Sequence, residues 1–388
     1  MNTQKILEEL QRKKIEWEMG ADLRHGFTSH LIRCQDFNGA PCFFVGSELS
    51  FETKLNAVID AIYMLQLEDN ERTSFEFGLM YGGHSEQELL MQILANLNQL
   101  IHEKVKLDVF VDFERVALPA PSNFDQLSQS LESKLALIDK NRAKPTLINE
   151  LIEAFNDPAL KWSTTSLNNS WVGRLDGIQF CTVNNHGEIK LSLDENPRAK
   201  RIMLEQLSLH GFDFDSNVDR LLGKDELEQL IGILQTEETT SRLQECISAQ
   251  RVRARVMRKK AKLIPGQSIC EDLPCFWSNS PVYENTAHLL FCDSDRSYAV
   301  HFEISTGGRI QNNYRYGILK TALNAHFVRT AREIHPWLEN QGISPESCLP
   351  ILAFPKLTSA RARSRFSQLT ALAELFGVNI VQVKGSSL

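Results

Sequence analysis

The sequence predicts a mixed α/β protein of several domains: an N-terminal α/β domain, a largely helical middle region with a β-hairpin, and a C-terminal α/β module. Three observations lead there. The chain has 388 residues, and single cores usually stop growing near roughly 250–300 residues. Hydrophobic residues make up 42% and charged residues 23%, the balance of an ordinary globular protein. Short alternating apolar runs also interleave with longer runs at helical spacing, which is the mark of sheets covered by helices.

The start, MNTQKILEELQRKKIEW, lacks the apolar core and small-residue cleavage site of a signal peptide and reads as an amphipathic helix. "FTSHLIRC" and "APCFFV" flank the turn signal "DFNG" and predict a hairpin. A helix follows from Phe51 to Leu67, with Leu55, Ile59 and Ile62 on one face. "FEFGLMYGG" reads as a strand ending in a glycine turn, "HSEQELLMQILANLNQLI" as a helix with Ser85 and Glu88 in a capping box, and "KLDVFVDFERV" as a strand. Pro119 and Pro121 break regular structure, so the first domain spans residues 1–120. Residues 121–265 contain two helices, a strand pair ("WVGRLDGIQFCTV" with "EIKLSL", through "NNHG") and a helical stretch from Pro197 to Leu263. Residues 266–388 form the last module. No internal repeat stands out.

Charge is uneven along the chain. Residues 1–130 hold 11 Lys+Arg against 20 Asp+Glu, whereas 241–388 hold 19 against 11, within a net charge of −7. A basic lobe attracts polyanions over a Debye length while an acidic lobe repels them. Nucleic acid is therefore the expected partner, with a protein partner or a second copy as the alternative. No run of eighteen apolar residues exists, so no membrane partner is expected. Eight cysteines from Cys34 to Cys348 show no disulfide-framework spacing, which fits reduced thiols and a cytoplasmic location.

The last third reads as strand "HLLFCD", strand "YAVHFEI", a glycine break, helix "NNYRYGILKTALNAHFVRTAREI", strand "LPILAF", helix "ARARSRFSQLTALAELFG" and strand "VNIVQV". The turn "DSDRS" is too short for a crossover, so the first two strands are expected to be antiparallel neighbours. This order resembles the core of the PD-(D/E)XK nuclease superfamily over roughly residues 280–384, a restriction-endonuclease-like module. The resemblance implies a DNA-directed, Mg²⁺-dependent phosphodiesterase, conceivable in bacterial antiviral defence. In that family two carboxylates on the hairpin hold the ion and a lysine stabilises developing charge. Here Glu303 in "HFEIS" takes the second acid position, Glu284 or Asn285 in "VYEN" the first, and Ser305 stands where lysine is expected. Lys320, in register with Tyr316 and Asn324 on the following helix, is the candidate for a displaced lysine. The implied catalytic set is Glu284, Glu303 and Lys320, with Glu284 and Glu303 holding Mg²⁺. The competing reading makes Glu303 a partly exposed strand carboxylate in a nuclease-like fold without activity.

Basic clusters supply candidate nucleic-acid contacts. Arg251, Arg255, Arg258, Lys259 and Lys262 fall along one helical stripe, opposite Val252, Val256 and Leu263, a pattern suited to phosphate neutralisation. Arg361, Arg363 and Arg365 sit at a predicted helix start, where the macrodipole disfavours cations unless an anion binds there. Arg309, after Gly307 and Gly308, extends that set. Both clusters also admit a bland reading, as a solvated face or as pairing with acidic protein surfaces. Other motifs are incomplete. Asp213, Asp215 and Asn217 begin like a calcium loop, but Val218 replaces its glycine and Lys224 its final acid. Cys270 and Cys275 lack a second pair for zinc, and "MYGGHSE" lacks the Lys-Ser/Thr of a phosphate loop. Two function classes remain: a nucleic-acid-binding, nuclease-like protein, and a noncatalytic interaction or assembly protein.

Overall fold

Strand-forming segments at the two ends and in the middle of the chain close into three separate sheets. The computed structural model describes residues 1–19, 31–37, 40–69, 71–140, 145–157, 159–165, 170–184, 186–194, 196–212, 221–243, 246, 267–281, 283–293, 296–303, 310–356 and 366–383. They divide into two compact units. One is Met1–Leu131 with Gly266–Ala353 and Leu357–Val381; the other is Glu132–Pro265 with Phe354–Lys356 and Gln382–Leu388. The protein is mixed α/β as expected, and none of the described helices is long and apolar enough to cross a membrane.

The first sheet of unit one orders its strands as β1 (Trp17–Met19), β2 (Ile32–Phe37), β3 (Ala40–Val45), β4 (Phe75–Tyr81), β5 (Val105–Val111) and β6 (Glu114–Val116). β1, β2 and β3 pair antiparallel, and β3, β4 and β5 run parallel through the crossover helices α2 (Phe51–Glu68) and α3 (Gln87–Ile101). α1 (Thr3–Arg12) packs Ile6 and Leu10 on one sheet face, against Cys42, Phe44, Met80 and Phe110. Ser50 caps α2 by accepting from the Thr53 amide at 3.2 Å. The helix is buried continuously from Lys54 to Gln66, as expected of a helix held between layers rather than on a surface.

Unit two is built on an antiparallel sheet. After α4 (Ser128–Lys140), which begins in unit one, and α5 (Thr146–Phe155) come β7 (Leu160–Thr165), β8 (Ser170–Leu175), β9 (Ile178–Val183) and β10 (Ile189–Leu191). α6 (Pro197–Leu209), β11 (Leu221–Leu222), α7 (Lys224–Gln235) and α8 (Glu237–Leu243) complete it, with the sheet ordered β11-β10-β9-β8-β7. The region thus adds a five-stranded sheet to its helices. "WVGRLDGIQFCTV" is itself a hairpin, because Asp176 and Gly177 turn the chain at φ 52° and 83°, the two positive values of a type I′ turn.

The second sheet of unit one contains β12 (Gln267–Phe276), β13 (Glu284–Asp293), β14 (Arg296–Phe302), β15 (Leu349–Pro355) and β16 (Asn379–Val383), in that spatial order. β13 and β14 are antiparallel neighbours, as the short turn required. α9 (Ile310–Thr330) carries β14 over to a parallel β15; α10 (His335–Asn340) precedes β15, and α11 (Phe366–Leu375) precedes β16. The hairpin, helix, strand, helix, strand order read from the sequence is therefore present. The first sheet has the same order, from its antiparallel meander β1-β2-β3 through two crossover helices to β5. Unit one holds one topology twice.

The two copies meet through their helices. α2 packs on α3, α9 and α11, and α9 packs on α3 and α11. Glu52 meets Lys320, Asp60 meets Arg315 and Tyr316, and the Arg315 guanidinium lies over the Tyr63 ring at 4.6 Å. Rising numbers on α2 meet falling numbers on α9, so these counterpart helices cross antiparallel, as they would about an internal two-fold axis.

Candidate functional site

Strand alternation places His301 and Glu303 on one face of β14, and α9 covers that face. A Cβ on Gly317 of α9 would lie 2.9 Å from Leu352 and 3.5 Å from Glu303, so glycine lets the helix approach the carboxylate closely. His301 donates from Nε2 to Oε2 of Glu303 at 3.3 Å, and its Nδ1 is buried with no hydrogen-bond partner among the described residues. Burial, aided by the Lys320 charge, pushes His301 down to about 3. The imidazole is therefore neutral, and its contact with Glu303 is a hydrogen bond rather than an ion pair.

A second histidine shapes the strand ends. His288 stacks on His301, ring centroids 4.3 Å apart, and its Nδ1 accepts from the Phe302 backbone N–H at 3.0 Å. The imidazole thus replaces a ladder carbonyl. Pairing between β13 and β14 runs from Asp293–Arg296 to Leu289–Val300 and stops there, while the Glu303 amide turns to the Ala353 carbonyl of β15 at 3.0 Å. This opening has no mark in the sequence, because a histidine acting as a backbone acceptor looks like any strand histidine.

The expected residues have different surroundings. Glu303 lies half-buried under α9, with Lys320 close enough for its charge to act on His301. The Lys320 amine itself pairs with Glu52 of α2 at 2.9 Å. Glu284 starts β13, exposed, beyond the end of the β13–β14 ladder. Among the described residues no three His, Cys, Asp or Glu side chains come together as a metal-holding group. Mg²⁺ is usually held by one or two carboxylates together with water and substrate phosphates, so Glu284 and Glu303 are the side chains that would hold it here. Arg251, Arg255, Arg258, Lys259, Lys262, Arg309, Arg361, Arg363 and Arg365 lie outside the described residues, as do Asp213, Asp215 and Asn217. The eight cysteines form no disulfide.

Two members of the polar stripe read on α9, Tyr316 and Lys320, join the two copies of the topology. Tyr316 donates to Asp60 at 2.9 Å, Lys320 takes Glu52, and Asn324 accepts from the Trp277 indole at 2.8 Å while donating to the Thr286 carbonyl at 3.0 Å. Asn324→Ala is expected to cost about 2–3 kcal/mol in chemical denaturation, because it strands a buried indole N–H and a backbone carbonyl. An unchanged midpoint would show that both groups find other partners. In the N-terminal copy the Ser47 carbonyl, just past the end of β3, accepts from buried Lys54 at 2.8 Å.

No protein-family model matches the chain, and no curated protein matches it. Among solved structures, Can2 from Sulfobacillus thermosulfidooxidans in complex with cyclic tetra-adenylate (cA4) is similar at 10% identity, over 87% of this chain and 91% of that one, with a TM-score of 0.19. A likeness that distant bears on neither fold nor function.

Proposed function

We propose that the chain is a nucleic-acid-binding protein built on a nuclease-like C-terminal module, with DNA as the first target and the basic C-terminal third as the gripping surface. One observation carries the reading: Lys320 stands beside the His301–Glu303 pair at the end of β14, and its side chain is 24% exposed, enough to meet a ligand. Phosphate neutralisation by such cations gives salt-sensitive binding. Mg²⁺-dependent cleavage at Glu284, Glu303 and Lys320, within a bacterial defence or DNA-processing system, is the finer form of the proposal.

The test is binding to duplex and single-stranded DNA at two salt concentrations, followed by incubation with Mg²⁺ or Mn²⁺. Affinity is expected to fall steeply with salt, and alanine at Arg361, Arg363 and Arg365 to flatten the slope by about one for each lost contact. Cleavage that vanishes in Glu303→Gln while binding persists would establish the enzyme. A second reading, an assembly protein whose charged lobes bind protein partners, is favoured by the Lys320–Glu52 pair. It predicts no salt-dependent DNA binding and altered protein association in the arginine variant.

A further inference from the structure

Beside the Glu303 centre lies a group of side chains that the nuclease-like reading does not use. Phe51 and Glu52 open α2, Tyr283 precedes β13 within reach of the Glu52 charge, and Lys320 reaches Glu52 from α9. The Tyr283 ring lies 4.9 Å from Phe51 and 5.4 Å from Trp277, centroid to centroid. Trp277 is buried and tied through its indole N–H to Asn324, so Tyr283 rests on a fixed support while staying partly exposed. The Lys320 amine lies 2.9 Å from a Glu52 carboxylate whose side chain is 53% exposed.

A partly exposed aromatic ring next to a lysine is what single-stranded nucleic acid uses: the ring stacks a base and the cation takes a backbone phosphate. Glu52 occupies the place of that anion. An exposed pair of this kind is worth only about 0–1 kcal/mol, and the released carboxylate would regain water readily. We propose that Lys320 and Tyr283 form a single-stranded nucleic-acid subsite in which Glu52 holds the lysine until a phosphate displaces it. The proposal rests on the nucleic-acid-binding reading and names its ligand geometry and its built-in competitor. Single strands are favoured over duplex because only an unstacked base presents its face to Tyr283. Glu284, exposed next to Tyr283 in the chain, adds negative charge at the rim, a repulsion that salt screens.

The experiment measures the affinity of a fluorescent oligothymidine for the full chain and for Glu52→Gln, Lys320→Met, Lys320→Arg, Tyr283→Leu and the Glu52→Gln/Lys320→Met double variant, with melting curves to verify folding. Glu52→Gln is expected to bind about fivefold tighter or more. That gain should disappear when Lys320 is methionine, and Lys320→Arg should keep the binding. Tyr283→Leu should lose on the order of tenfold. If the unaltered chain binds but Glu52→Gln brings no gain, or a gain that survives without Lys320, the subsite is overturned and the broader reading stands. Binding that appears only on removing Glu52, and needs Lys320, supports the subsite outright. No binding by any variant overturns both.

Discussion

Asp60→Ala is expected to destabilise the protein by about 3–5 kcal/mol, the cost of leaving a buried charge without its partner. Asp60 on α2 and Arg315 on α9 each have side chains only 1% exposed, and their closest contact is 2.8 Å. The guanidinium donates to Oδ1 at 3.0 Å through Nε, Tyr316 donates to Oδ2 at 2.9 Å, and the Tyr63 ring lies beneath the cation. Alanine would remove the carboxylate while Arg315 stays inside, where its desolvation is no longer offset. Against a typical total of about 5–15 kcal/mol, that loss is large enough to depopulate the fold. Replacing both partners with apolar side chains of similar volume, Asp60→Leu with Arg315→Met, should recover most of it, since no buried charge remains. Urea unfolding of the three variants checks this. Equal midpoints for Asp60→Ala and the unaltered chain would mean that the seam between the two copies does not depend on this pair.

Most of unit one was legible because its elements obey local rules. The glycine and proline breaks, the helical spacing from Leu55 to Ile62 and the short "DSDRS" turn fix elements and pairing without help from distant residues. In unit two the Asp176-Gly177 signal lay inside an apolar run, which reads as one long strand unless the turn dipeptide is given precedence. β7 and β11 are short, and their pairing is set by neighbours far along the chain rather than by their own pattern.

The repeated topology had no sequence signature, and the reason is physical. Two sheets that share five strands in the same order need only the same alternation of strand and helix periods; the residues filling each core are otherwise free, provided volume and pattern are kept. Lys320 was found as part of a polar stripe with Tyr316 and Asn324, but a stripe on one helix does not reveal its partner. Asp60 and Glu52, which claim two of those three side chains, lie more than 250 residues away on a helix whose own pattern is apolar.

Acidification should weaken the fold between pH 6.5 and about 4, before most carboxylates titrate. His301 and His326 are both buried, and burial lowers them to about 3 and about 4, with Lys320 and Arg329 respectively adding to the shift. Unfolding returns each to about 6.5. Below that value the unfolded chain binds protons that the folded protein refuses, so stability rises with pH through the window and is lost as pH falls. Each histidine contributes up to about 1.4 kcal/mol per pH unit, on the order of 4 kcal/mol for the pair by pH 4.5. Urea midpoints measured from pH 7 to 4.5 should fall steadily, and His326→Gln and His301→Gln should each remove roughly half of the slope. A slope unchanged in both variants would place the acid sensitivity elsewhere and leave the neutral imidazole of His301 without support.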